Sequence, residues 1–302
     1  MASPPTDRHP PLLARDVRGP VDGPLAVLLH GGGQTRHSWR GLDKGLAAVG
    51  YRVINYDARG HGESAWSPSG DYSFDALADD LAAQIADVGR PAALIGASLG
   101  GLTAMIAATR RPAVPTWAMA LIDVVPRMNL EGRERILQFM AAYPDGFASL
   151  EEAAAATHAY LPHRGPSSGA GTGLLKNLRK RGDRFFWHWD PAFLTNRWRD
   201  LSYPPVEPFL KQANYPIALI RGGLSDIVTD VEARAFAQAV PNAEMITVPD
   251  ATHMIVGDRN SAFSGAIMTF LDAHRPTHAP EAAGDKTSVP LLHPEQSDER
   301  SI

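Results

Sequence analysis

Apolar positions along the chain fall into two alternating rhythms. Leu25–Leu29, Arg52–Tyr56, Ala92–Ala97, Trp117–Ile122, Ile217–Arg221 and Glu244–Val248 are short runs with the length and composition of buried strands. Between them, Trp39–Val49, Phe74–Val88, Leu99–Arg110, Val231–Val240 and Ala262–His274 carry longer, helix-like patterns. Strand and helix taking turns in this way predicts βαβ crossovers, hence an α/β fold with a mostly parallel central sheet and helices on both faces. The alternation stops between about Arg127 and Pro205. That stretch reads as helical, aromatic and basic, with Phe185, Phe186, Trp187, His188, Trp189 and Trp198 close together. It is expected to be an inserted helical cap over a pocket, residues 127–205, which divides a single domain (1–274) into core segments 18–126 and 206–274. Pro, charged and small residues follow His274 as far as Ile302, so 275–302 is expected to be a disordered tail.

The junction of the third strand and its helix reads Gly96, Ala97, Ser98, Leu99, Gly100. A sharp strand-to-helix turn with small residues around a central serine is a nucleophile elbow, which presents the hydroxyl of Ser98 at the carboxyl edge of the sheet. The alternative is a Gly-rich turn with a solvated serine, and the surrounding pattern argues against it. His30, Gly31, Gly32 and Gly33 follow the first strand, where a backbone without side chains can approach a substrate oxygen. Gly32 and Leu99 are accordingly the expected oxyanion donors. His253 stands in a loop after the last strand, where a general base for serine belongs. Asp226 follows the strand Ile217–Arg221 and is the expected carboxylate partner of that imidazole. Asp123 also follows a strand, but opens the insertion and can equally cap a turn; Asp250 lies too near His253 in sequence. Of the other histidines, His30 is expected to brace its loop, His61 sits in a tight Gly-His-Gly turn, and His158, His163 and His188 are expected to line or pack the cap.

Composition narrows the partners. The 302 residues carry a net charge of −4, which offers no basic surface to nucleic acid or an anionic membrane, and 44% hydrophobic content supports a substantial core. The absence of cysteine excludes disulfides and thiolate chemistry and fits a cytoplasmic protein. No signal peptide or run of transmembrane length is evident. A small-molecule partner follows, with no cofactor, no metal and either a monomer or a homodimer.

The order Ser98, Asp226, His253 is that of the α/β hydrolases. From about Pro20 to His274 the chain resembles the serine-dependent esterase, epoxide-hydrolase-like and non-haem peroxidase grouping of that superfamily. The resemblance rests on His30–Gly33, the segment Tyr56–Ser64, the elbow, Asp226 and His253. It implies that Asp57–Ser64 is structural. It also disfavours epoxide hydrolysis and dehalogenation, whose enzymes use aspartate at the elbow, and makes carbon–carbon hydrolysis less fitting, since Ala97 stands where those enzymes tend to carry asparagine. The expected activity is hydrolysis of a carboxylic ester of a small, largely apolar molecule through an acyl-enzyme. A carbon–carbon hydrolase or lactonase, or a non-catalytic receptor, are the alternatives. Substrate contacts are expected from Gly33, from Arg36 if the substrate bears a carboxylate, from Trp187 and Trp189, and from Met254.

Overall fold

Why six predicted strands become one sheet is visible in their burial. In the computed structural model, which describes residues 11–160, 175–195, 205–253 and 261–277, the sequence Leu-Ala-Val-Leu-Leu of β2 (Leu25–Leu29) is buried throughout. A strand apolar on both faces needs helices above and below it. β2 pairs in parallel with β3 (Arg52–Tyr56) on one side and β4 (Ala92–Ala97) on the other. The sheet continues in parallel through β5 (Thr116–Ile122), β8 (Ile217–Gly222) and β9 (Ala243–Val248). Its full order is β1-β3-β2-β4-β5-β8-β9, with β1 (Arg15–Arg18) antiparallel at the edge. β6 (Leu178–Arg181) and β7 (Arg184–Trp187) form a separate antiparallel hairpin.

Alternate strand residues feed two cores. Leu25, Val27 and Leu29 join Leu77 and Leu81 of α2 (Phe74–Ala86) and Leu102 and Met105 of α3 (Leu99–Thr109). Ala26 and Leu28 face Leu42 and Leu46 of α1 (Leu42–Ala48) and Ile267, Phe270 and Leu271 of α9 (Ser261–Ala273). Between β5 and β8 lie α4 (Leu130–Ala141), α5 (Leu150–Tyr160), the hairpin, and the short helices α6 (Ala192–Thr195) and α7 (Glu207–Leu210); α8 (Asp230–Ala239) follows β8.

This interval is not wholly helical as expected, because Leu178–Trp187 pairs with itself as β6 and β7, and Phe147 bridges to Phe185 beside it. Arg15–Arg18 was not anticipated either. It pairs on one side only, and its exposed and half-buried residues lack the apolar run of a central strand. Trp198, Met254 and residues 278–302 of the expected tail lie outside the described residues.

Candidate active site

Ser98 joins β4 to α3 with φ 45° and ψ −111°, a conformation L-residues rarely adopt and one that surrounding contacts must impose. The imposing contacts are at its glycines. A Cβ on Gly100 would lie 2.2 Å from the carbonyl oxygen of Leu29, and one on Gly96 would lie 2.5 Å from the backbone of Gly100. The strand and helix therefore meet more closely than side chains permit, and the serine is turned outward. Ser98 N also donates to Ile122 O at 3.3 Å, tying the turn to β5.

At the neighbouring strand end the backbone of Asp123 is left-handed as well, with φ 49°. Its carboxylate is buried and accepts three hydrogen bonds: Gly222 N to Oδ1 at 3.0 Å, the Ser225 hydroxyl to Oδ2 at 2.6 Å, and His253 Nδ1 to Oδ2 at 2.8 Å. With Nδ1–H committed to the carboxylate, the imidazole presents Nε2 as its basic nitrogen. The loop that carries His253 is bolted to the loop after β8, since Leu224 N donates to Ala251 O at 2.8 Å and a Cβ on Gly222 would sit 2.4 Å from that same oxygen.

The expectation that Asp226 holds the imidazole is corrected here. Its carboxylate is half-exposed and forms an ion pair with Arg135 of α4 at 2.6 Å. The loop after β8 does reach the histidine's partner, but through Ser225 as a hydrogen-bond donor, while the chain beyond it leads outward to α4. Asp123 is the acidic group that the structure places against His253.

The glycine loop after β2 borders Ser98. Gly31 N donates to Gln34 Oε1 at 3.1 Å, and Gly32 faces Leu99, Met140 and Phe193, each 3.9 Å from the position of a Cβ. The amide of Leu99 opens α3, where the first turn of a helix leaves its N–H groups without intrahelical acceptors. Behind the loop stands a group of three histidines. His30 donates from Nδ1 to Gly31 O at 2.8 Å and accepts from Ala58 N at Nε2, 2.9 Å. His188 accepts from Gly62 N at Nδ1, 2.8 Å, and donates from Nε2 to Gly33 O at 3.2 Å. His61 lies between their rings, with centroids 5.3 and 5.8 Å away. Burial holds all three imidazoles neutral: it lowers His30 and His188 below the usual histidine value and takes His61 down to about 3.

A cleft opens above Ser98 and His253. Its other lining residues are Gly31, Gly32, Gln34, Ala97, Ile122, Met128, Arg133, Ile136, Leu137, Met140 and Ile227. Among the described residues, then, α4 supplies four of the lining residues, more than any other element. The pocket residues anticipated in the sequence fare differently. Arg36 is buried in an ion-pair knot with Asp57, Glu63 and, at 3.7 Å, Asp16, so its charge is already neutralised away from the cleft. Trp187 and Trp189 stack on each other at 4.9 Å, and Trp187 packs edge-on against Phe147 at 5.1 Å; both are buried behind the lining rather than in it. Gly33 has φ 73° and is backed by Met140 and Trp189, so it shapes the loop without lining the cleft. Sequence reasoning missed the α4 residues, although Arg133, Ile136, Leu137 and Met140 recur at the three-and-four spacing of one helix face.

Comparison with known proteins identifies the family and the fold. The sequence matches the alpha/beta hydrolase family over residues 26–266, and the chain belongs to that family. It is 30% identical over 270 residues to the sn-1-specific diacylglycerol lipase ABHD11 of Mus musculus, the alignment covering 86% of this chain and 85% of the lipase. Similarity to esterase Rv0045c of Mycobacterium tuberculosis is 28% over 261 residues, covering 82% and 83% of the two chains. A crystal structure of that esterase superimposes with a TM-score of 0.64 at 25% identity, over 87% of this chain and 92% of the other. E-2-(acetamidomethylene)succinate hydrolase shares the fold with a TM-score of 0.75 at 22% identity, covering 86% and 95%. Among the described residues no helix is long and apolar enough to cross a membrane.

Proposed function

We propose that this chain is a serine hydrolase of carboxylic esters that works through Ser98, His253 and Asp123. The observation that carries this reading is the Asp123–His253 hydrogen bond of 2.8 Å, over a cleft that also contains the outward-turned Ser98. In the proposed reaction, His253 Nε2 takes the proton of the Ser98 hydroxyl as its oxygen attacks the ester carbonyl. The amides of Gly32 and Leu99 stabilise the oxyanion, since that of Gly31 is engaged by Gln34. The imidazolium returns its proton to the leaving alcohol, and water then releases the acid by the same steps in reverse order. Asp123 holds the imidazole with Nδ1 protonated and stabilises its positive charge. Relatives named as an esterase and a lipase support an ester as the bond cleaved.

The segment between β5 and β8 acts as a cap in this reading, with α4 as the part that meets the acyl or alcohol group. A small ester with an apolar body suits the lining, and the cysteine-free sequence supports a cytoplasmic setting. The test is labelling with a fluorophosphonate, followed by peptide mapping and a p-nitrophenyl ester assay. Wild-type protein is expected to be modified at Ser98 and to turn over short acyl esters, and Ser98→Ala to lose both. A folded wild type that neither reacts nor hydrolyses would instead be a receptor on a hydrolase fold.

A further inference from the structure

The glycine turn beside Ser98 is built from the residues least able to hold a shape of their own. Gly31, Gly32 and Gly33 leave the backbone dihedrals soft, yet the turn must keep the amide of Gly32 aimed at one point. Gln34 N closes it by donating to Gly31 O at 3.0 Å, and Gly33 is left-handed with φ 73°. A Cβ on Gly31 would lie 3.6 Å from that of Ser98, so movement of the turn is movement against the nucleophile. The first half of the turn has a local brace in His30, which donates to Gly31 O at 2.8 Å. The second half is held from across the fold: Gly33 O accepts at 3.2 Å from Nε2 of His188, 155 residues away in sequence.

The proton on that nitrogen is dictated by the other one. Nδ1 of His188 faces the amide of Gly62 at 2.8 Å, and an amide nitrogen donates only, so Nδ1 is the acceptor and Nε2 carries the hydrogen. Gly62 is itself firmly seated. Glu63 N donates to Asp57 Oδ2 at 2.9 Å, Ser64 Oγ donates to Asp57 O at 2.6 Å, and a Cβ on Gly62 would run into the Asp57 carboxylate. The segment that carries His188 is tied down as well. Its amide donates to Asn177 O at 3.1 Å, Asp190 N donates to Gly60 O at 2.8 Å, and the Tyr72 hydroxyl donates to Asp190 Oδ2 at 2.5 Å. The buried imidazole therefore bridges a rigid turn and a soft one.

We infer that His188 is a positioning residue for the oxyanion hole: from the segment between β5 and β8 it pins Gly33 O, and the amide of Gly32 is fixed with it. This rests on the ester-hydrolase reading, in which that amide meets the developing negative charge. A hydrogen-bond donor counts in the transition state only when it is already aimed at the oxyanion, which gives the distant imidazole a hold on the chemical step.

The test separates the two ring nitrogens. His188→Gln can place its amide nitrogen near the position of Nε2 and keep the bond to Gly33 O, whereas His188→Asn reaches only as far as Nδ1 and keeps the bond to Gly62 N. On p-nitrophenyl acetate, His188→Asn is expected to lower kcat by about 10- to 100-fold with KM within about twofold, as for a catalytic group displaced by about 1 Å, while His188→Gln keeps kcat within about threefold of wild type. Rates are referred to folded protein, quantified by urea unfolding. A residue that only supports the fold would cost both variants stability and neither of them kcat. No loss in His188→Asn, a loss confined to KM, or a loss in His188→Gln as large as that in His188→Asn overturns the inference. A second measurement needs no turnover: solvent exchange of the Gln34 amide, followed by NMR, reports the bond that closes the turn. It is expected to quicken about tenfold in His188→Asn and to stay near wild type in His188→Gln. Equal exchange in all three proteins overturns the inference whatever the esters do. Faster exchange in His188→Asn alone supports the brace even where wild type hydrolyses no ester, an outcome that counts against the hydrolytic reading instead.

Discussion

The two walls of the cleft are built on different terms. On the sheet side each group is fixed by directional bonds or by contacts too close for a side chain: three donors on Asp123, the close approaches at Gly96 and Gly100, and the paired loops around Ala251. On the helix side the lining consists of flexible or aliphatic side chains held by packing, with the start of α4 hydrogen-bonded to Ile227 and Arg135 ion-paired to Asp226. Reaction geometry tolerates displacements of well under an ångström, whereas contact with an apolar substrate is non-directional and scales with area. The difference teaches where change is tolerated. Substitutions on the sheet side should alter the rate of chemistry, and those on α4 should alter which ester is accepted.

Four experiments would break or sharpen this contrast. The largest effect is expected from Asp123→Asn, which keeps the shape but favours the wrong imidazole tautomer and should lower kcat by roughly 10⁴. Steady-state kinetics beside Asp226→Asn decide the point, because a larger loss in the latter would return the acid role to Asp226. Next, Trp187→Ala should destabilise the fold by about 3–5 kcal/mol, measured by urea unfolding, while the ester chain-length profile of the folded fraction stays unchanged. A shifted profile at undiminished stability would put this tryptophan back in the lining.

The third is acid sensitivity behind the sheet-side wall. His30, His61 and His188 are kept neutral by burial, so their folded values lie below the ordinary one near 6.5. Unfolded chains take up these protons first as pH falls, so stability is complete above about pH 6.5 and declines below it. The decline should reach about 1 kcal/mol per pH unit for each imidazole. Urea midpoints at pH 7.5, 6.5 and 5.5 should therefore fall progressively, and a flat series would contradict the buried, neutral assignment. The smallest effect belongs to Asp226→Asn itself: an exposed ion pair with Arg135 is screened by solvent, so the urea midpoint should barely move and ester turnover should stay near wild type.

Much of this architecture was legible because burial on both faces leaves an unmistakable trace. β2, β3 and β4 begin and end at the residues where their apolar runs do. The elbow could be read because its requirements are local: small residues around a serine, at a strand-to-helix junction. The imidazole's partner was not local. Asp123 and Asp226 both follow strands, and choosing between them requires knowing how far each chain has travelled from the sheet. Asp123 comes immediately after Ile122, whereas three residues separate Asp226 from Gly222 at the end of β8. That proximity to the strand end was the available signal. The aromatic cluster misled for a related reason, since large rings fill the interior of a small subdomain as readily as they line a cleft. Gly182 at the hairpin turn, with φ 61°, was the cue for β6 and β7.

The Ser225 hydroxyl lies 2.6 Å from the Asp123 carboxylate, so the ends of two adjacent strands converge on one point beside the imidazole. Because the same hydroxyl accepts from Ile227 N at 3.2 Å and Val228 N at 3.1 Å, the carboxylate anchors the loop after β8 as well as the imidazole, and a change at Asp123 loosens both at once.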